Sequence, residues 1–225
     1  MMKRVFKYTG FLLVLLLLAQ TVLLPASAES LNAYLNEDWL QDSTSEQEVP
    51  LYYQTDYPDI PYGKGTISTS GCGITCLAMV VSYLQDRECL PPELAETFGQ
   101  LQMNNVKRIN HAIEVMDLPL ESMAKRWEQM AAALYNGQIV ILLVNEKSIF
   151  TNAQHFLVLT GMTKNGKVLV NDPYKPNYND PELVDGFING FSQEDMDAGF
   201  DGGWIFSRKT LPPELAVLEA TDNAE

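Results

Sequence analysis

Cysteine and histidine are scarce in this sequence, which has three cysteines and two histidines among 225 residues. Three cysteines cannot all pair within one chain, so at least one thiol is expected to be free even in an oxidising compartment. A structural zinc ion usually takes four Cys or His ligands, and the five such residues here are scattered along the chain, which disfavours a zinc site. The unpaired thiol is therefore either a nucleophile or a buried, inert side chain.

Basic residues are also few, with 15 Lys and Arg against 29 Asp and Glu and a net charge of −14. Such a surface repels phosphate backbones and anionic lipid, so nucleic acid is not an expected partner. Repeats and low-complexity tracts are absent as well, and the length suits one domain with a sizeable core.

The first residues have the order of a secretion signal. Three basic residues precede an apolar run from Phe11 to Leu24 and the small residues Ala26-Ser27-Ala28. This order predicts a signal peptide over residues 1–28, cleaved after Ala28, and hence a secreted protein without stable membrane insertion. An uncleaved anchor is the alternative, but the run is shorter than the ~20 residues of a spanning helix. Cleavage would leave a net charge of −17 (15 − 3 = 12 basic residues; 12 − 29 = −17).

Three further segments follow the predicted signal peptide. Residues 29–50 are acidic and polar with one small apolar cluster, which predicts a tether that holds at most one short helix. Residues 51–212 form the predicted domain, and residues 213–225 form a loose acidic tail.

The predicted domain has two halves of different periodicity. From Cys72 to about Leu134 the apolar spacing is helical, with helices predicted in "PPELAETFGQ", "NHAIEVMDL" and "EQMAAALYNGQ", the last ending at Gly137. From Ile139 the pattern changes to short β-branched runs, "IVILLV", "HFLVLTGM" and "KVLVNDP". Helices followed by strands predict an α+β domain, a helical N-terminal half packed on an antiparallel β-sheet.

Cys72 stands at the start of a predicted helix in "TSGCGITCLAMVVSYL". Gly71 and Gly73 permit a tight turn there, and a helix N-terminus presents free amide groups and a positive dipole end to the sulfur. Both stabilise the ionised form of a thiol. Cys76, one turn later, lies in the apolar stripe, and its spacing from Cys72 is too long for a disulfide. A Cys76–Cys89 disulfide stays open as an alternative.

A thiol nucleophile needs a histidine and a group that orients this histidine. His111 lies in a helical pattern, whereas His155 begins the strand "HFLVL" and is the better candidate. Asn171 and Asp172 both follow the next strand, and side-chain alternation favours Asp172 on the face of His155. A two-residue turn at Asn165-Gly166 would leave Asp172 far along the strand, so we expect a longer loop that places Asp172 directly opposite His155.

These motifs, with "YYQTDYP", "NAQHFLVLTG", "GKVLVNDPY" and "GGWIF", resemble the C39-like family of bacterial exported cysteine peptidases. The similarity runs from about Tyr52 to Phe206. It implies a papain-like fold and a catalytic triad of Cys72, His155 and Asp172. It also implies that Gln54 donates to the oxyanion beside the Cys72 backbone amide. We expect a monomeric enzyme that acts on a peptide or protein and uses no cofactor.

One position departs from this family, which usually has glycine where Gln154 precedes the histidine. Gln154 is expected to narrow the groove or contact substrate. The segment "DMDAGFDGGW" hints at calcium, but its spacing fails the EF-hand pattern. Two other functions remain open: a cell-wall amidase or endopeptidase with the same chemistry, and a non-catalytic peptide-binding module.

Overall fold

A computed structural model of the chain describes residues 48–98, 113–118 and 122–208. By its contacts the chain divides into two units, and all described residues belong to the second, Glu37–Glu225. The predicted signal peptide, most of the predicted tether, the predicted tail and His111 lie outside the described residues.

The described residues contain six helices and seven strands. The helices are α1 (Ile67–Ser70), α2 (Cys72–Gln85), α3 (Pro91–Phe98), α4 (Met123–Tyr135), α5 (Val184–Asn189) and α6 (Gln193–Asp197). The strands are β1 (Pro61–Tyr62), β2 (Gly65–Thr66), β3 (Ile113–Asp117), β4 (Ile139–Val144), β5 (His155–Met162), β6 (Val168–Asn171) and β7 (Phe200–Arg208). Two short 3₁₀ turns, Gln54–Asp56 and Lys175–Asn179, complete the set.

Five strands form one antiparallel sheet in the order β3-β7-β4-β5-β6. Alternate residues of β4 enter two different cores: Ile139 and Ile141 pack with α2, while Val140 and Leu142 pack with α4. A strand covered on both faces needs apolar side chains at every position, which explains the unbroken run "IVILLV". The sheet therefore supports α2, the helix that Cys72 begins, on one of its faces.

Most predicted elements are found where the sequence places them. α3 begins at Pro91, and β4 and β5 have the predicted limits. α4 ends in a left-handed Gly137 (φ 70°), whose amide donates to Leu134 O, while Gln138 N donates to Ala133 O. These two bonds form a Schellman C-cap.

One predicted helix is wrong. The segment "NHAIEVMDL" contains β3, an edge strand whose Val115 pairs with Phe206 of β7. Its apolar residues fit a strand period as well as a helical one, and the distant partner strand decides between them.

The α+β class is confirmed, and the arrangement agrees with the papain-like fold that the resemblance implies. Within residues 48–98, 113–118 and 122–208, none of the helices combines the length and the apolar character that a membrane span requires.

Candidate active site

Cys72 is the first residue of α2, directly after Gly71, which caps both α1 and α2. Gly71 has an ordinary backbone conformation (φ −97°), but a Cβ at this position would lie 2.5 Å from Ile67 O. The turn therefore needs glycine for close packing and not for a left-handed conformation. Helix geometry leaves the amides of the first turn, including that of Cys72, without partners inside α2. The half-buried Cys72 side chain thus lies at the positive end of the helix.

The other two thiols are in a different environment. All three cysteines are unpaired in the structure, so Cys76 and Cys89 do not form the disulfide left open by the sequence. Burial raises the pKa of Cys76 well above its ordinary value of 9.0 and raises the pKa of Cys89 to about 11. Both are therefore protonated and inaccessible near neutral pH.

His155 contacts both of its predicted partners. Its Nε2 lies 2.7 Å from Asp172 Oδ1, and the Cys72 side chain is close enough to the ring to raise the pKa of His155. With Nε2 engaged by the carboxylate, Nδ1 is the ring nitrogen left for the sulfur. The structure therefore brings Cys72, His155 and Asp172 together, with His155 hydrogen-bonded to Asp172.

The protonation state of His155 reflects these contacts. Burial of the ring lowers its pKa, but the hydrogen bonds with Asp172 and Cys72, together with their negative charges, outweigh burial and raise it from 6.5 to about 10. The imidazole is therefore protonated at neutral pH.

The register between β5 and β6 differs from the predicted one. Val158 pairs with Asn171, whereas the expected alignment of His155 with Asp172 would pair Val158 with Leu169. A bulge between Leu159 and Gly161 shifts the alignment near the turn. This error leaves the choice of Asp172 intact, because a shift of two residues preserves the face of each side chain.

Asn171 has a separate contact. Its amide donates to Val49 O and Pro50 O (3.2 and 3.3 Å), which fixes the chain that enters the domain against β6. Asp172, and not Asn171, is the residue that touches His155.

Asp172 is fully buried and accepts three hydrogen bonds. Oδ1 accepts from His155 and from Tyr174 N (2.7 Å), and Oδ2 accepts from Asn177 Nδ2 (2.7 Å). Its own amide donates to Tyr178 Oη (2.9 Å). Sequence reasoning missed Asn177 and Tyr178. Their only signal is the polar and aromatic run "DPYKPNY" directly after the candidate aspartate.

Gln54 links the two sides of the site. Its backbone N–H donates to Pro173 O (2.9 Å), beside Asp172, and its Nε2 donates to Ser68 O (2.8 Å), in the helix before Cys72. Its buried Oε1 has no hydrogen-bond partner among the described residues.

Two further residues border the site. The Tyr174 ring meets the His155 ring edge to face with centroids 6.5 Å apart, and Tyr174 is 42% exposed. Gln154 is exposed and donates to Asp201 Oδ2 (3.3 Å), so its amide is held by a residue of β7.

In the segment "DMDAGFDGGW", which hinted at calcium, the acidic side chains bond to other protein groups. Asp195 caps α6 through Ser192, Asp197 pairs with Arg126, and Asp201 accepts from Asn145. In the described part of the chain no group of three potential metal-binding side chains was found.

Comparisons with known proteins identify the family of the chain. The sequence model of the Peptidase_C39 like family matches residues 46–188, more than half of the chain. Among solved structures, one assigned as a C39-like peptidase from Bacillus anthracis has a TM-score of 0.45 and 15% identity, covering 72% of this chain and 96% of its own. No curated protein matches the sequence. The chain belongs to the Peptidase_C39 like family.

Proposed function

We propose that this protein is a cysteine peptidase that hydrolyses peptide or amide bonds through Cys72, His155 and Asp172. The observation that carries the proposal is the hydrogen bond between His155 and the buried Asp172 carboxylate, with the Cys72 side chain beside the same imidazole. A protonated imidazole beside the sulfur supports a thiolate–imidazolium pair.

In this proposal the Cys72 thiolate attacks the carbonyl carbon of the substrate and forms a C–S bond, which places a negative charge on the carbonyl oxygen. The Cys72 N–H and the second N–H of Gln54 Nε2, which Ser68 O does not occupy, donate to this oxygen. Collapse of the intermediate breaks the C–N bond, and the leaving amine takes a proton from His155. Water then gives a proton to His155 and attacks the thioester, which releases the acid and restores the thiolate.

The proposal also includes the location, the substrate and the oligomeric state of the enzyme. The basic, apolar and small-residue order of residues 1–28 supports export and cleavage after Ala28. We propose that the exported enzyme acts on peptides or proteins as a monomer.

The first test is the Cys72→Ala substitution. Hydrolysis of fluorogenic peptides should fall by several orders of magnitude, because the nucleophile of a triad is lost, while the melting temperature and circular dichroism stay those of the parent. Assays on a peptide library and on purified cell wall would separate a peptidase from a wall amidase. Equal turnover by the parent and the variant would refute the assignment.

A non-catalytic module is tested by alkylation. Iodoacetamide at neutral pH should modify Cys72 much faster than Cys76 or Cys89, as measured by peptide mapping, since only Cys72 combines exposure with a protonated imidazole neighbour. Equal, slow labelling of all three thiols together with no turnover would favour the binding module.

A further inference from the structure

We propose that Asn177 is a positioning residue, which holds the Asp172 carboxylate in line with His155 and fixes the loop that leads into β5. Sequence reasoning gave this residue no role. The proposal rests on the proposed function for its kinetic consequences only, because its geometric consequences concern a contact between side chains that exists whether or not the protein turns over substrate.

Both N–H groups of the Asn177 side chain are used. One donates to Asp172 Oδ2 at 2.7 Å and the other to Phe150 O at 2.9 Å. A flipped amide would place its oxygen against these two acceptors, so the geometry allows one orientation only. The amide is thus fixed in its plane by two partners from different parts of the chain.

These two partners belong to the two loops that build the site. Phe150 lies five positions before His155, in the segment between β4 and β5, and Asp172 directly follows β6. The 3₁₀ turn Lys175–Asn179 brings Asn177 back towards both. One amide therefore ties the loop before the histidine to the loop that presents the carboxylate.

The carboxylate needs this support because of how it is bound. Oδ1 is shared between His155 Nε2 and Tyr174 N, whereas Asn177 is the donor found at Oδ2. Asp172 has no exposure, so without Asn177 Oδ2 would lose its donor in a buried place. A carboxylate with one oxygen unsatisfied is free to rotate towards another donor and away from the imidazole.

The neighbouring titratable groups are few. Asp172 and Cys72 face His155, while Cys76 and Tyr178 also interact with Asp172. Asn177 carries no charge, so its removal changes the titration of His155 only through the position of Asp172.

The experiment compares Asn177→Ala and Asn177→Leu, the latter of similar volume, in the full chain. Asn189→Ala is the matched control, because Asn189 Nδ2 donates to Asp185 Oδ1 at the same 2.7 Å on the surface. The chain has two histidines. In a His111→Gln background, the one imidazole signal left for NMR titration is that of His155.

We expect the titration midpoint of His155 to fall by about one pH unit or more in both Asn177 variants and to stay unchanged in Asn189→Ala. Peptide hydrolysis should fall roughly 10- to 100-fold, as when groups that orient metal-bound histidines are lost, with the basic limb of the pH profile moved to lower pH. Folded Asn177 variants with the parent midpoint would overturn the proposal, even if their melting temperature fell.

If the Asn177 variants do not fold, an NMR measurement on the unsubstituted protein still tests the proposal. The Nδ2 proton shifts of Asn177 should follow the titration of His155, while those of Asn189 should not. Chemical shifts of the Asn177 Nδ2 protons that stay constant while His155 titrates would also overturn the proposal. If Cys72→Ala leaves hydrolysis intact but the midpoint still moves in the Asn177 variants, the proposed function fails and the positioning role stands.

Discussion

At the scale of single residues, the environment of Asp172 decides the protonation state of the site. A buried carboxylate is costly unless its oxygens are hydrogen-bonded. Here the donors come from His155, Tyr174 and Asn177, all at 2.7 Å. The hydrogen bond with this carboxylate raises the pKa of His155 and so favours the protonated imidazole.

The pH dependence of hydrolysis tests this coupling. A thiolate–imidazolium pair gives a bell-shaped profile, in which the basic limb reports mainly His155 and lies near its pKa of about 10. Asp172→Ala removes the partner that raises this pKa most, so the basic limb should move to lower pH and the rate should fall on the order of 10²- to 10⁴-fold.

The matched control for this prediction is Asp185→Ala, which removes a surface carboxylate that is also bonded to an asparagine. The pH profile of hydrolysis by Asp185→Ala should equal that of the parent, and a chelator should change neither of these two profiles. A chelator-sensitive rate, or an unmoved basic limb in Asp172→Ala, would contradict the mechanism.

Residues differ in how far the sequence reveals them. Cys72 and His155 could be proposed because the chain has only three cysteines and two histidines to choose from. Asp172 could be proposed because the alternation of side chains along a strand is a local property. Asn177 could not, because a polar residue in a proline-containing loop has no period that predicts its direction. The bulge in β5 was equally hidden. Beyond it the register differs from the predicted one by two residues, which keeps Asp172 on the face of His155.

At the scale of elements, the junction between α1 and α2 places the sulfur. Gly71 N donates to Ile67 O at 2.7 Å, and Thr75 N donates to Gly71 O at 2.9 Å, so one residue ends the first helix and begins the second. Close packing at Gly71 leaves no room for a side chain, because a Cβ would lie within 2.8 Å of three Ile67 atoms.

Gly71→Ala should therefore displace the start of α2. We expect a loss of about 1–3 kcal/mol in the free energy of unfolding, as for overpacked sites, and slower alkylation of Cys72 by iodoacetamide. Gly161→Ala is the control, since the nearest atom to its added Cβ would be Leu169 Cδ1 at 3.8 Å, an ordinary contact. Equal unfolding energies for the two variants would show that the junction tolerates a side chain.

Elements also show where local patterns fail. The strands β4 and β5 could be predicted to the residue, because their apolar runs are bounded by turn residues. β3 could not, since Ile113–Asp117 becomes a strand through pairing with β7, almost ninety positions later. Long-range pairing overrides a weak local preference at the edge of a sheet.

At the scale of the whole molecule, the sheet separates two apolar cores and the site lies where its loops meet α2. β5 begins with His155 and β6 ends just before Asp172, so antiparallel pairing brings these residues to the same end of the sheet. Side chains of α2 and of the sheet pack together in the first core. The charge pair of the site is therefore coupled to the folding of the domain as a whole.

This coupling makes stability depend on pH. In the unfolded chain His155 loses its proton near its ordinary pKa of 6.5, whereas in the folded protein it keeps the proton up to about 10. Between these values His155 binds one proton more in the folded state, so its contribution to the free energy of unfolding falls as the pH rises, by up to about 1.4 kcal/mol per pH unit. The stabilisation is complete below pH 6.5 and lost as the pH passes through 10.

Chemical unfolding between pH 6 and 9 in a Cys72→Ala background, in which the proposed thiolate no longer titrates, would measure this slope. His155→Gln is the informative variant in this background and His111→Gln the control. At higher pH, Cys76, Cys89 and Tyr178, whose pKa values burial raises, also destabilise the fold as they ionise. Because these groups are common to all the proteins compared, the difference between the Cys72→Ala background and His155→Gln isolates the imidazole. That difference should shrink steadily as the pH rises, while His111→Gln keeps the slope of the Cys72→Ala background. A difference independent of pH would mean that His155 is not held protonated by Asp172.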